Sequence, residues 1–231
     1  MQKWVYEHAD HSIFYTPKIY DAWTEEWGRG CIIGYIVMER LQGDTFAQWL
    51  EAHKDDADIE CMQKKILKAI QHLWGLPVPQ GTFVGPLKNH AASDRFFGQC
   101  RAPRTFESVT ELEDWLNDIM VKVNRGEPIK IRDQPRQLCH CDLTDSNIMI
   151  DGDSIMIIDW AYSGVYPFAF EEWSIYHQVK RFGIGQKIAE FLAKRLCDNK
   201  FSGTMRSFSY ASAYIQFGVH YTPPGILTSH Y

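Results

Sequence analysis

The stretch LCHCDLTDSNIMIDGDSIMIIDW, residues 138–160, sets His140, Asp142, Asn147 and Asp159 among largely apolar neighbours. If the segment is buried, each of these groups must be paired or bound to something. The runs 147–150 and 155–158 are short and apolar, and Asp151-Gly152-Asp153-Ser154 between them is a strong β-hairpin signal. An antiparallel hairpin brings its outer ends together, so Asn147 and Asp159 are expected to be neighbours in space. One carboxylate and one amide oxygen are hard ligands, suited to a magnesium ion that keeps waters and substrate phosphates. Asp142, five residues before Asn147, is placed to meet an attacking hydroxyl. Metal holders plus a carboxylate that orients or deprotonates a nucleophile are the parts of a phosphoryl-transfer site.

Upstream, residues 1–8 fit the last two turns of a helix, and a short apolar run covers 19–23. The run 31–38 (CIIGYIVM) is continuous and β-branched, the pattern of a buried strand, and ends at Glu39-Arg40-Leu41 before Gly43. Asp44 and Thr45 are N-cap residues for a short amphipathic helix carrying Phe46, Trp49 and Leu50. Over 58–74, Ile59, Met62, Ile66, Ile70 and Leu73 step by three or four, which predicts a core-facing helix stopped by Gly75 and Pro77. Residues 75–105 show little periodicity and read as a long ordered loop or insertion. Thr110 and Glu113 read as a capping box ahead of a helix bearing Leu112, Trp115, Leu116, Ile119 and Val123. Beyond the hairpin, 170–179 and 184–197 read as helices, and weak helical periodicity continues to Val219 before Pro223-Pro224-Gly225. Asp145 and Ser146 read as turn-shaping residues, and Glu171 and Glu172 as capping or pairing groups at a helix start.

With 231 residues, 45% hydrophobic and 14% aromatic, the chain suits one large domain or two small lobes with a real core. Its 24 basic and 29 acidic residues give a formal net charge of −5, which offers no field for nucleic acid or an anionic membrane. No stretch reaches the length of a membrane span, and the N-terminus lacks a basic region followed by an apolar run. Six scattered cysteines fit a reducing compartment, so a cytoplasmic location is expected. Cys139-His140-Cys141 does not read as a zinc site, because on a strand residues 139 and 141 face one way and 140 the other.

The pattern H-x-D-x-x-x-x-N at His140, Asp142 and Asn147, followed by Ile158-Asp159-Trp160, resembles the catalytic loop and metal aspartate of the aminoglycoside phosphotransferase and choline kinase-like proteins. Those proteins are a branch of the protein-kinase-like fold. YIVMERLQGDT (35–45) resembles that family's strand and hinge between two lobes. FESVTELEDWL (106–116) resembles its helix before the catalytic loop, and IDWAYSGVYPFAFEEW (158–173) the stretch after the metal aspartate.

This resemblance implies an α+β, protein-kinase-like two-lobe fold. An incomplete N-terminal sheet lobe with the hinge would cover 1–43, and a mainly helical C-terminal lobe 44–231. It implies Asp142 as catalytic base, His140 as a brace of the loop backbone, and Asn147 and Asp159 as Mg2+ ligands. Glu39, Arg40 and Leu41 become the hinge that offers backbone groups to the purine of ATP (or GTP). The implied activity is phosphoryl transfer to a hydroxyl of a small molecule, with no nucleic-acid or membrane partner and with acceptor and oligomeric state left open. Cys141 stands where the family usually has glycine. The family's glycine-rich loop and phosphate-gripping lysine have no counterpart, since neither Lys3 nor Lys18 matches the lysine. The rival reading is therefore a catalytically inactive pseudokinase or truncated gene product acting as a binding module, with an exposed sheet edge and apolar surface. A metal-dependent hydrolase using His140 and the aspartates directly ranks below both, because such sites need more ligands than this loop supplies.

Overall fold

The computed structural model describes residues 1–28, 32–87, 90–97, 101–182, 187–196 and 204–218. Expectations for Cys31, for the helix start at 184–186, and for Cys197, Val219 and the Pro223-Pro224-Gly225 stop fall outside the described residues.

Helix α1 (Gln2–His8) opens the chain, and strands β1 (Ile19–Glu26) and β2 (Ile32–Met38) pair antiparallel as a two-stranded ribbon. The continuous apolar run of β2 predicted a strand covered on both faces, and this differs. Ile32, Ile36, Val37 and Met38 are exposed, as are Tyr20, Trp23 and Trp27 on or beside β1. Two strands alone form no sheet wide enough to bury both faces, so a run with buried-strand composition stands in solvent.

Strand β3 (Asp44–Thr45) leads into α2 (Phe46–Ala52), where Thr45 and Gln48 form a reciprocal capping box. Helix α3 (Asp56–Trp74) starts two residues earlier than the apolar stripe suggests, because the Asp55 carboxylate accepts the N–H groups of Ala57 and Asp58. Helix α4 (Val109–Val123) is capped by Ser108, whose hydroxyl accepts the Glu111 N–H, rather than by Thr110. Glu113, expected in the capping box, instead turns inward and accepts the backbone N–H groups of Ile131 and Arg132.

The remaining elements are β4 (Arg136–Cys139), β5 (Ile148–Asp151), β6 (Ser154–Ile157), β7 (Gly164–Pro167), α5 (Phe168–Phe182), α6 (Lys187–Leu196) and α7 (Thr204–Phe217). The hairpin forms as predicted: β5 pairs β6 in register from Ile148↔Ile157 to Asp151↔Ser154, and Gly152 takes the left-handed conformation of the two-residue turn. Strand β3 adds to the free edge of β5, and β4 pairs with β7 in a second small sheet. Among the described residues no helix is long and apolar enough to cross a membrane.

Among the described residues two apolar clusters divide the interior. The first joins Val5, Phe46, Ile66 and Ile70 to the hairpin residues Ile148, Ile155 and Ile157 and to Ile188 and Leu192 of α6. The second joins Phe96, Phe97 and Phe106 to Leu112, Leu116, Phe170 and Phe208. The segment between β4 and β5 runs along the seam between them. Leu138 and Leu143 belong to the first cluster, and Cys139 and Cys141 to the second. Hydrophobic burial on both sides thus fixes where the polar loop residues between them can point.

Candidate functional site

Loop 140–147 is held from below by α5. Glu171, Ser174 and Gln178 recur at i, i+3 and i+7, so they share one face of that helix. The Glu171 carboxylate, fully buried, accepts the backbone N–H groups of His140 (2.7 Å) and Cys141 (3.1 Å). The Ser174 hydroxyl donates to the Cys141 carbonyl at 2.6 Å, and the Gln178 amide donates to Asp142 Oδ1 at 3.3 Å. Burial pushes the Glu171 carboxyl up to about 7, against the two N–H groups that favour its charged form. Glu171, expected to cap or pair at a helix start, lies in the first turn of α5 and pairs with the loop backbone, which makes it the anchor of the loop.

His140 is fully buried, stacks edge-on against Trp160, and its Nε2–H donates to the Ile158 carbonyl at 3.0 Å. That bond ties the loop to the outgoing end of the hairpin, one residue from Asp159. Its Nδ1 meets no hydrogen-bond partner, and burial lowers the imidazole to about 4, so the ring is neutral at ordinary pH. Cys139 and Cys141 both pack in the second apolar cluster, away from the His140 ring, although strand β4 ends at Cys139 and Cys141 is held there by a left-handed turn and not by strand alternation; burial pushes both thiols up. Among the described residues no three His, Cys, Asp or Glu side chains gather closely enough to hold a metal ion.

Asp142 is 2% exposed. Its Oδ2 accepts Arg95 Nη2 at 2.9 Å and Asn147 Nδ2 at 3.1 Å, while Asn147 Nδ2 also donates to the Asp142 carbonyl at 2.9 Å. Burial raises the Asp142 carboxyl, the Arg95 cation opposes that rise, and the nearby Asp159 charge adds to it. Asn147 spends its amide nitrogen on Asp142, which leaves the carbonyl oxygen as the atom a cation would meet. The Ile158 N–H donates to the main-chain carbonyl of Asn147 at 3.0 Å, so the hairpin does bring the ends bearing Asn147 and Asp159 side by side. Asp142, Asn147 and Asp159 line one cavity of about 250 Å³ with Arg95, Thr144, Ser146 and Gln178.

Asp159, in the left-handed conformation (φ 61°), also lines a second cavity of about 580 Å³. Ile19, Ile36, Met38, Met149, Ile158 and Trp160 give that cleft apolar walls, and Glu39, Arg40 and Leu41 edge it. The Glu39 carboxylate accepts the Tyr15 hydroxyl and the Lys18 N–H, and the Glu39 N–H donates to the Lys18 carbonyl at 2.8 Å. Its side chain is thus committed to the protein, and no hydrogen bond within the described residues engages the backbone of Arg40 or Leu41. Neither Lys3 nor Lys18 lines either cavity.

Asp145, read as a turn residue, does more. Its buried carboxylate accepts the N–H groups of Lys187 and Ile188 at 2.8 Å each, and its carbonyl accepts the Ala47 N–H at 3.0 Å. It joins the starts of α6 and α2 to the loop. Arg95 comes from the stretch 75–105, which has no periodicity to read, and nothing in the sequence marks it. The polar face of α5 was readable: three polar residues at helical spacing on a buried helix need partners.

The family described as APH, phosphotransferase enzyme family, matches residues 1–204. No curated protein matches the sequence. The crystal structure of a thermostable mutant of aminoglycoside phosphotransferase APH(4)-Ia superposes with a TM-score of 0.59 at 14% identity, covering 92% of this chain and 72% of its own. A ternary complex of that enzyme with ADP and hygromycin B gives 0.57 at 14% identity over the same shares of each chain. A Plasmodium vivax ethanolamine kinase gives 0.44 at 17% identity, covering 91% of this chain and 62% of its own. The fold is thus the α+β, protein-kinase-like fold of the aminoglycoside phosphotransferases, and the chain belongs to the phosphotransferase enzyme family.

Proposed function

We infer that the protein transfers the γ-phosphoryl group of a purine nucleoside triphosphate, ATP or GTP, to a hydroxyl of a small molecule. The observation that carries this reading is the position of Asp159, shared by an apolar-walled cleft of about 580 Å³ and by the polar cavity that holds Asp142 and Asn147. A nucleotide in the cleft against Leu41 and Trp160 directs its phosphates past Asp159 toward Asp142. The complex of the similar enzyme with ADP and hygromycin B agrees with that use of the fold.

The donor set fits a magnesium ion: Asp159 and Asn147 supply two hard oxygens, and nucleotide phosphates and water complete such a shell. When bound, that ion neutralises charge on the transferring group. Asp142 receives the proton of the acceptor hydroxyl as its oxygen attacks the γ-phosphorus. The bond from phosphorus to the β-bridging oxygen breaks, and the nucleoside diphosphate leaves with that electron pair. His140, neutral and tied to Ile158, keeps the loop and the hairpin end in register, and Glu171 fixes the loop backbone beneath it. A small-molecule acceptor in the cytoplasm, without nucleic acid or membrane, agrees with the net charge of −5.

A second reading, a nucleotide-binding module without turnover, is favoured by one observation. Asp142 is nearly sealed from solvent and already engaged by Arg95, Asn147 and Gln178. Calorimetry with ATP, with and without Mg2+, separates the cases when joined to an ATP-consumption assay. The transferase reading expects Mg2+-dependent binding that Asp159→Ala abolishes, and turnover that Asp142→Asn lowers by about 10²–10⁴-fold with nucleotide affinity kept. Mg2+-dependent binding with no turnover in the unaltered chain establishes the module, and absent nucleotide binding refutes both.

A further inference from the structure

Of the seven residues lining the 250 Å³ cavity, Arg95 is the one cation. Only its Nη2 is engaged, on Asp142, and no hydrogen bond within the described residues uses its other four N–H donors. The side chain is 35% exposed and its guanidinium sits 4.8 Å from the centre of the Tyr162 ring. Its mount is rigid. The Arg95 carbonyl accepts Gln216 Nε2 at 2.8 Å, the next N–H, of Phe96, donates to Asp94 Oδ1 at 2.6 Å, and the Phe96 carbonyl accepts the Ser212 hydroxyl at 2.9 Å. Phe96 itself is fully buried against Phe97, Phe170, Trp173 and Phe208.

A planar fork with spare donors, anchored from behind and opening on a cavity with two carboxylates, has an evident complement in the equatorial oxygens of a phosphoryl group. We propose that Arg95 is a catalytic residue that contacts the γ-phosphoryl group during transfer and stabilises the charge that develops on it. The proposal rests on the nucleotide reading given above. While the acceptor oxygen attacks phosphorus and its proton passes to Asp142, the spare donors of Arg95 meet the phosphoryl oxygens. The guanidinium stays charged throughout and exchanges no proton. Because the transition state is loose and its charge is spread over those oxygens, a preorganised cation acts there more strongly than on the bound ground state. A residue that served only to neutralise buried Asp142 would alter the base but make no contact with the phosphoryl group, so it would leave the affinity for a mimic of that group unchanged.

Arg95→Gln keeps a donor for Asp142 and removes the charge, and Arg95→Lys keeps the charge without the fork. In the full chain, calorimetry with Mg-ADP, and with Mg-ADP plus aluminium fluoride as a mimic of the group in flight, reads ground and transition states separately without turnover. Hydrolysis of Mg-ATP, with water as acceptor, supplies a second readout. Arg95→Gln is expected to hold Mg-ADP within about 3-fold and to lose roughly 100-fold both in the aluminium fluoride complex and in hydrolysis kcat. Arg95→Lys is expected to recover part of both losses. Equal affinities in wild type and Arg95→Gln for the aluminium fluoride complex overturn the proposal. So does faster hydrolysis by Arg95→Gln, which would make Arg95 a plug on Asp142. Failure of the unaltered chain to bind Mg-ADP refutes the nucleotide reading itself, a result distinct from either.

Discussion

Replacing His140 with phenylalanine is expected to invert the order of stability between pH 7.5 and pH 4. Phenylalanine keeps a ring against Trp160 but loses the bond from Nε2 to the Ile158 carbonyl, and Nδ1 has no partner to lose. One neutral buried hydrogen bond, with its carbonyl left unpaired, costs the variant about 1–2 kcal/mol at pH 7.5. The unaltered protein carries a different burden at low pH. The folded His140 titrates at about 4 rather than at its ordinary 6.5, so between those values the unfolded chain binds a proton that the folded protein refuses. Stability from this group is therefore complete above pH 6.5 and falls as pH drops toward 4. The loss approaches about 3 kcal/mol, since each pKa unit corresponds to about 1.4 kcal/mol. The two effects cancel between about pH 5 and 6, and at pH 4 His140→Phe becomes the more stable protein by about 1–2 kcal/mol. Glu171 and Asp94, raised by burial to about 7, pull the opposite way in both proteins and cancel in the difference, because Glu171 grips the backbone of residue 140 and not its ring. Urea midpoints followed by tryptophan fluorescence at half-unit steps from pH 4 to 7.5 read the crossing directly. A constant gap between the two curves across this range refutes the neutral, buried assignment of His140.

Two further substitutions probe how the loop is mounted. Asp145→Ala removes the acceptor of two N–H groups at the start of α6 and is expected to cost about 1–2 kcal/mol in urea unfolding; a change under about 0.3 kcal/mol would show that water replaces the carboxylate at no cost. Gly43→Ala is expected to destabilise by more than about 2 kcal/mol, because Gly43 has φ 98° and an added Cβ would overlap the Ile150 carbonyl oxygen. Thermal denaturation checks it, and an unchanged midpoint would mean that the junction between β3 and β5 yields freely.

The hairpin, the amphipathic helices and the convergence of Asn147 with Asp159 were legible because each follows from local periodicity or from a two-residue turn. The exposure of β2 was not, because Ile32 through Met38 has the composition of a covered strand and only the number of neighbouring strands decides whether it is covered. The cap of α4 went to Ser108 rather than Thr110 because Glu113 gains more inside. There it satisfies the two backbone N–H groups of Ile131 and Arg132, a long-range bargain that no four-residue motif records. Arg95 and Asp94 were invisible for the same reason in stronger form. They lie in a segment without regular structure, and their positions are set by Phe96 burying itself among aromatic rings contributed by residues 97–208.

Cys141 shows how the site tolerates a residue that local rules disfavour. The backbone there takes φ 60°, a conformation that glycine adopts freely and that costs another residue about 1–2 kcal/mol. Its surroundings determine it from three directions: Glu171 accepts its N–H, Ser174 donates to its carbonyl, and its side chain is 1% exposed in the second apolar cluster. A charge-assisted bond to a buried carboxylate and a buried hydroxyl bond together contribute about 2–4 kcal/mol, which exceeds the strain. The left-handed turn is thus held by the face of α5 and not by the residue that makes it, so glycine is dispensable at 141 only while that face is intact. Since the same turn aims Asp142 at the cavity, the backbone that carries the Asp142 carboxylate is held by Glu171 and Ser174, neither of which lines the cavity.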